Sequence, residues 1–145
     1  MSSVDFRPSD VVLNAMPMFH VFGFVVGTIM PLLSGMYTFY FPSPLSYRAI
    51  PLVAYDINAT VLFGTDTFLY GYARSASPYD FYSVRYVFEG AEKLRERTSR
   101  MWSGAVDFNT SHSLTAIMYI FAVNKFDTAF VVFMSLLHHR YYSIF

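Results

Sequence analysis

The sequence predicts an α/β fold in which helices flank a partial parallel sheet. Three observations support this prediction: apolar runs of strand length alternate with helical segments, Pro and Gly residues separate them, and charged residues are scarce. Hydrophobic residues make up 54% of the chain and charged residues 14%, whereas a soluble domain typically has roughly 25% charged residues. Strands that are apolar throughout are typical of a parallel sheet covered on both faces.

The first half of this pattern is a strand at residues 10–16, a helix at 20–33 and a strand at 36–41. Residues 14–48 contain no Asp, Glu or Lys, so they are also long enough for a membrane span of about 20 apolar residues. Pro17 and Pro31 bracket the helical part, which is too short to cross a bilayer. These helix-breaking prolines therefore favour a segment buried in the protein core over one that spans a membrane.

The second half repeats the alternation. A helix is predicted over residues 47–57, although Pro51 could limit it to a bend. A strand at 59–65 and a helix at 66–75 follow. The last pair is a strand at 84–90 and a helix at 91–103. Ligands of such sheets bind at the carboxyl ends of the strands, so residues 17–20, 64–67 and 89–92 are the candidate site.

Composition excludes several classes of function. Ten basic and ten acidic residues cancel, so nucleic acid is not an expected partner and no polybasic membrane signal is present. The chain has no cysteine, which excludes disulfides, thiolate metal sites and cysteine nucleophiles. The first ten residues are partly acidic and lack an apolar core, unlike a signal peptide.

Three phrases resemble the AMP-forming acyl-activating enzymes: "VVLNAMPMFHVFG", "ATVLFGTDTFLYGYAR" and "VRYVFEGAEKL". Within that family they resemble the acyl-acyl-carrier-protein synthetase part of bacterial 2-acylglycerophosphoethanolamine acyltransferase/synthetase proteins. The resemblance covers about residues 4–103, with the three motifs in family order. It implies a partial synthetase domain at 1–104, followed by a divergent tail at 105–145.

The resemblance also implies a chemistry. A fatty acid and ATP form an acyl-adenylate, and a thiol of coenzyme A or acyl carrier protein then displaces AMP. ATP and Mg²⁺ are the implied cofactors of the intact enzyme. The implied location is cytoplasmic, at the inner face of a membrane.

His20 matches the family histidine near the acyl substrate and adenylate, and an imidazole there could donate to a developing charge. Phe19, Phe22 and Phe24 could line an acyl tunnel, and Gly64 and Thr65 fall on the matching substrate-side phrase. The alternatives are a histidine satisfied at a helix start and phenylalanines of an ordinary core. For Thr65 and Asp66, capping of the next helix is favoured over contact with the substrate.

Gly90, Ala91 and Glu92 match the family loop on the adenine side, where a glycine lets backbone approach the flat base. Relatives often have a small residue where this chain has Glu89. The alternative is a simple turn from strand to helix with Glu92 in the first helical turn, where its charge suits the helix dipole.

Other family parts are absent from the sequence: the phosphate-binding loop, the "GYGxTE"-like motif with its magnesium-binding glutamate, and the catalytic lysine. We therefore predict that the chain alone has no adenylating activity and binds neither ATP nor Mg²⁺ tightly, and we assign it no catalytic residue.

The tail, residues 105–145, is predicted to be apolar and helical. Its runs at 114–123 and 129–137 are each shorter than a bilayer crossing. It could be a frameshifted translation product, a membrane-associating hairpin or a cover for the sheet. His138 and His139 are adjacent and His112 is alone, so no metal site is assigned. A small non-catalytic membrane-associated protein and a degenerate remnant remain the alternative interpretations of the whole chain.

Overall fold

A computed structural model describes residues 5–105 and 117–121, which form a parallel β-sheet flanked by helices. The sheet has the strand order β2-β1-β3-β4-β5, and every strand pair is parallel. The strands are β1 (Val11–Asn14), β2 (Tyr37–Tyr40), β3 (Val61–Gly64), β4 (Tyr86–Gly90) and β5 (Ile117–Phe121). The predicted fold class, an α/β partial parallel sheet, is confirmed.

The helices lie in the connections between successive strands. A π-helix (Phe22–Ile29) runs directly into α1 (Met30–Leu33), and the others are α2 (Ala49–Asp56), α3 (Asp66–Ser75) and α4 (Glu96–Ala105). Pro51 is tolerated because it sits in the first turn of α2, where its missing N–H would have no partner within the helix.

The sheet reverses its direction of growth at β1. The chain passes from β1 to β2 on one side, then crosses back to place β3 on the other side of β1. This switch point lies between β1 and β3, and crevices at such points are where open α/β sheets bind ligands. The loops that follow these two strands therefore flank the candidate site.

Alternating side chains along each central strand build two separate cores. Leu13, Leu62 and Val87 face α2, α3 and α4, and they pack with Leu69 and Trp102. The intervening residues face the π-helix and α1, on the other side of the sheet. That second core contains Val12, Val61, Phe63, Tyr86 and Phe88, together with Phe22 and Met30. Burial on both faces explains why the strands are apolar without alternation.

A buried ion pair ties the amino ends of the strands together. The Arg85 guanidinium contacts Asp10 Oδ1 at 2.6 Å, and the Asp10 side chain is 1% exposed. The Thr60 hydroxyl donates to the same oxygen at 2.8 Å and accepts from the Val11 N–H at 2.9 Å. These contacts connect the starts of β1, β3 and β4, at the edge opposite the candidate site.

Asn14, the last residue of β1, anchors the π-helix. Its buried amide nitrogen donates to the Gly27 carbonyl at 2.8 Å and the Gly23 carbonyl at 3.2 Å. Its oxygen accepts from the Met16 N–H at 2.9 Å. A Cβ on Gly27 would lie 2.4 Å from the Asn14 amide nitrogen, so glycine is required for this approach.

Two predictions about helices are wrong in part. The helix predicted over 91–103 begins only at Glu96, because the preceding residues form a loop bonded to the start of α3. Residues 117–121 of the tail, predicted as helical, form strand β5, consistent with an apolar run containing isoleucine and aromatic residues.

The remaining statements about the tail, including His112, His138 and His139, fall outside the described residues. Among the described residues, no helix combines the length and apolar character that a membrane span requires. The boundary between residues 104 and 105 stays a prediction.

Replacing Asn14 with Ala should lower the free energy of unfolding by about 3 kcal/mol, because the Gly27 carbonyl and the Met16 N–H both lose their Asn14 partner. Asn14→Asp keeps the acceptor for the Met16 N–H but loses the amide donors, so it should not restore stability. Urea unfolding followed by circular dichroism measures both changes. Thr38→Ala, on edge strand β2, serves as the control. A wild-type midpoint for Asn14→Asp would contradict the anchoring role.

Candidate functional site

The candidate site lies at the carboxyl edge of the sheet, where the π-helix approaches the end of β4. The Phe22 ring is buried in this approach, and a Cβ added to Gly90 would lie 2.9 Å from its Cε2. Glycine at position 90 is therefore needed for the ring to sit against the strand end. The contact brings together two segments that the sequence places in the site, the start of the predicted helix and the loop after β4.

His20 lies at the surface, in the turn before the π-helix. Its Nδ1 accepts a hydrogen bond from the Phe22 N–H at 3.2 Å, which satisfies one of the free donors of the helix start. Because Nδ1 accepts, a neutral ring carries its proton on Nε2, which has no partner among the described residues. The exposed Nε2–H is thus available to a ligand at this edge.

The three predicted tunnel phenylalanines have different environments. Phe22 is 3% exposed and meets Phe63 edge to face, with 6.1 Å between ring centroids. Phe19 is 95% exposed and Phe24 is 46% exposed. Phe22 therefore belongs to the core beneath the site, while Phe19 projects from the same turn as His20.

Gly64 is the last residue of β3, and Thr65 follows it as the N-cap residue of α3. A Cβ on Gly64 would lie 2.8 Å from Leu69 Cδ2, so its small size lets α3 pack closely. The Thr65 hydroxyl is buried without a hydrogen-bond partner among the described residues. Gly64 thus has a packing role in this structure, and Thr65 leaves a polar atom unsatisfied at the strand end.

Glu92 caps α3. Its carboxylate accepts from the Thr67 N–H at 2.9 Å and from the Thr67 hydroxyl at 2.8 Å. Thr65 occupies the N-cap position but makes no side-chain capping bond, and the Asp66 carboxylate instead accepts from the Arg95 N–H at 2.8 Å. The prediction that Thr65 or Asp66 caps α3 is therefore wrong. The alternative that Glu92 lies in the first turn of the next helix is also wrong, because α4 begins at Glu96.

The turn after β4 depends on an unusual backbone conformation. Ala91 has φ of +67°, a left-handed conformation that residues with a Cβ rarely adopt. This conformation turns the chain away from the strand, and the segment then reaches α3 through Glu92. The loop formed by Gly90, Ala91 and Glu92 is consequently fixed against α3 before α4 begins.

Glu89 is the most unusual group at this edge. Its side chain is fully buried, and neither carboxylate oxygen has a hydrogen-bond partner among the described residues. It lies on the same face of β4 as Val87, beneath α3 and α4. Burial, and then the nearby charges of Asp66 and Glu92, raises the pKa of Glu89 from 4.5 to about 7.

The described residues offer little to a phosphate chain or a magnesium ion at this edge. They contain no group of three His, Asp or Glu side chains placed to hold a metal. Arg95 contacts Asp66 at 3.5 Å, so its charge is already partly balanced. Among the described residues, this edge presents backbone groups and one imidazole.

Two features of this edge were missed in the sequence. Asn14 was included only as part of a strand, although an asparagine directly after an apolar strand is a signal for a buried polar anchor. Glu89 was treated as a departure from the family pattern, without an expectation that it would be buried beneath α3 and α4. Its place between apolar residues of a buried strand was the available signal.

Comparison with known proteins identifies related sequences and folds. The family described as AMP-binding enzyme matches residues 1–119, farther than the motifs at 4–103 suggest. The crystal structure of ATP-bound MatB from Rhodopseudomonas palustris is similar, with 27% identity and a TM-score of 0.61, over 70% of this chain and 20% of that one.

Two further structures share the fold. The N-terminal domain of FACL13 from Mycobacterium tuberculosis has 16% identity and a TM-score of 0.62, over 70% of this chain and 26% of that one. A Rhodopseudomonas palustris protein assigned as a long-chain-fatty-acid CoA ligase has 20% identity and a TM-score of 0.59, over 68% and 24%. The chain thus spans about a quarter or less of the length of these structures.

Glu89→Gln should stabilise the protein above pH 7 and change little near pH 4.5. A raised folded-state pKa means that the buried carboxyl is tolerated when protonated and destabilises the fold once ionised. The stability of the wild type relative to Glu89→Gln should therefore fall as pH rises from 4.5 to about 7. The full difference is roughly 3 kcal/mol at pH 8.

Urea unfolding of both proteins between pH 5 and pH 8 measures this difference. Glu96→Gln, which removes an exposed carboxylate paired with Arg100, is the control and should show no such trend. An equal change in the free energy of unfolding at pH 5 and pH 8 on Glu89→Gln would show that ionisation of this carboxyl does not destabilise the fold.

Proposed function

Because the chain belongs to the AMP-binding enzyme family, we propose that it carries part of the acyl and adenylate pocket of an ATP-dependent acyl ligase. The observation that supports this most directly is the close approach of Phe22 to Gly90 at the carboxyl edge. Phe22 follows His20 by two residues, so this contact supports a position of the His20 turn near the loop of Gly90, Ala91 and Glu92. These are the two segments that the family resemblance assigns to the acyl and adenine sides.

The proposed reaction of the intact enzyme has two steps. A fatty acid carboxylate oxygen attacks the α-phosphorus of ATP, and the bond to the bridging oxygen breaks as pyrophosphate leaves. A thiolate sulfur then attacks the acyl carbon, and AMP leaves with the oxygen that joined it to the acyl group. Acyl transfer of this kind gains from donors aimed at the developing negative charge.

Individual residues have distinct proposed roles in this pocket. The exposed Nε2–H of His20 donates to the carboxylate or the adenylate, and Phe19 covers the acyl chain at the mouth. Phe22 supports the loop from below, because it is buried against Gly90. Backbone groups of the left-handed turn at Ala91 contact the adenine edge. The Thr65 hydroxyl, which is buried without a partner among the described residues, is proposed to accept or donate a hydrogen bond on the substrate side.

The finer identity of the enzyme is also a proposal. A fatty acid substrate is supported by the shared fold with the assigned long-chain-fatty-acid CoA ligase, and ATP use by the similarity to ATP-bound MatB. We propose acyl carrier protein as the acceptor thiol, with coenzyme A as the alternative. We place the intact enzyme in the cytoplasm, at the inner membrane face, with Mg²⁺ as its metal cofactor.

A non-hydrolysable acyl-adenylate, acyl sulfamoyl adenosine, tests the pocket directly. Titrated into the ¹⁵N-labelled chain, it should shift the backbone amides of Gly90, Ala91 and His20 together. His20→Ala should weaken binding about tenfold to a hundredfold, because one hydrogen bond to a charged group is lost. Glu96→Gln is the matched surface control. Saturable shifts confined to other regions would refute the proposed pocket.

The 145-residue chain alone should release no pyrophosphate from ATP and a fatty acid in the presence of Mg²⁺. The sequence lacks the family's phosphate loop and catalytic lysine, so the charge that develops on the leaving pyrophosphate is not balanced. A coupled pyrophosphate assay, with an intact relative as positive control, measures this. Turnover that increases with chain concentration and is lost in His20→Ala would contradict the prediction.

A further inference from the structure

A groove on the outer side of α2 and α3 lies apart from the contact of Phe22 with Gly90. Its volume is about 810 Å³, within the range of small-molecule sites. Its walls include Tyr47 and Arg48 before α2, and Tyr70 and Arg74 from α3. A second cavity of about 420 Å³ shares Tyr47, Arg48 and Ser75 with the groove and extends it toward the start of α2.

Two arginines of this groove differ from the described arginines that contact a carboxylate. Four arginines elsewhere each contact a carboxylate: Arg7, Arg85, Arg95 and Arg100. Arg48 and Arg74 make no ion pair and no side-chain hydrogen bond with another described residue, yet both line the groove. Two guanidinium groups that lack a carboxylate partner therefore converge on one concave surface.

Arg48 also occupies an unfavourable position for helix stability. It is the N-cap residue of α2 and makes no side-chain capping bond. The positive end of the helix dipole disfavours a cation there and favours an anion. The first N–H groups of α2, at Ala49 and Ile50, are already bonded to the Ser46 carbonyl, so the guanidinium is the donor left for a ligand.

The acidic groups near the groove are engaged elsewhere. Asp80, which is in the wall, accepts from the Ser77 N–H at 2.7 Å within its own loop. Glu92 lies at the far end, where it holds the Thr67 N–H and hydroxyl. A third cation, Arg97, lies over the Tyr70 ring at 4.5 Å from its centroid. The groove therefore keeps an excess of positive charge.

Aromatic rings form the apolar part of the surface. A Cβ on Gly71 would lie 2.3 Å from Tyr47 Cδ1, so glycine lets the Tyr47 ring pack directly on α3. Tyr70 and Leu52 add apolar surface to the groove. A ligand held by the arginines would thus meet ring faces beside its anionic group.

We propose that this groove binds a small ligand that carries a phosphate group next to a planar ring. A phosphate monoester has a charge of about −1.5 to −2 near pH 7. It therefore suits a site with two guanidinium groups better than a ligand with a single carboxylate would. Arginine forks bind phosphate oxygens in pairs, and the tyrosines provide the contact for the ring. This proposal does not depend on the acyl ligase function.

Phenyl phosphate is the probe. Inorganic phosphate and phenol, which correspond to its anionic group and its ring, are the control ligands. Titrated into the ¹⁵N-labelled chain, phenyl phosphate should bind with a dissociation constant of about 1 mM or lower, and more tightly than either half. Amide shifts should centre on Arg48, Tyr70 and Arg74. Equal affinity for phenyl phosphate and phenol would overturn the proposal, since the phosphate would then contribute nothing.

Variants assign the binding to the two arginines. Arg48→Gln and Arg74→Gln should each weaken binding about tenfold or more, because a charge-assisted contact is lost. Arg74→Lys keeps the charge and should recover part of this loss, which damage to folding would not explain. Arg100→Gln, on α4 outside the groove, is the matched control. Equal weakening by Arg100→Gln, or no saturable binding, would refute the site.

Discussion

Burial of a parallel sheet on both faces is the constraint on which this structure depends. Once helices cover both sides, polar groups at the strand ends need partners inside the protein, because an unpaired polar group is costly to bury. Asn14 meets this demand on one side, because its amide bridges the end of β1 to the Gly23 and Gly27 carbonyls of the π-helix. The position of that helix sets where Phe22 meets Gly90, so the geometry of the candidate site follows from the anchor.

The sequence carried enough information for the order and type of most elements. Strand β3 and helix α3 could be predicted closely because apolar β-branched residues, a glycine and an acidic helix start follow each other without ambiguity. The π-helical form of residues 22–29 could not be predicted, since its cause is a side chain of another element. The late start of α4 has a similar origin, because Glu92 and Arg95 bond to α3 across the chain.

The candidate site was predictable in location but not in the roles of its residues. The rule that ligands bind at the carboxyl ends of parallel strands selected three loops, and the structure places all three at the carboxyl edge of the sheet. It gave no information on which side chains would face outward. Phe19 and Phe22 are only three positions apart, yet one is almost fully exposed and the other is in the core. That difference arises at the turn before the π-helix, where tertiary contacts decide the direction of each ring.

The end of β4 and the loop that follows it contain two carboxylates, of which one stabilises the fold and the other is strained. Glu92 is exposed and holds the start of α3 through two hydrogen bonds, so its charge contributes where a helix dipole favours it. Glu89 is buried and has no hydrogen-bond partner in the described part of the chain, and its raised pKa reflects the cost of ionisation there. Such a group persists when the rest of the sheet supplies the stability to tolerate it. The apolar cores on the two faces of β4 provide that support, because Val87 and Phe88, which precede Glu89, pack into one core each and pair with β3.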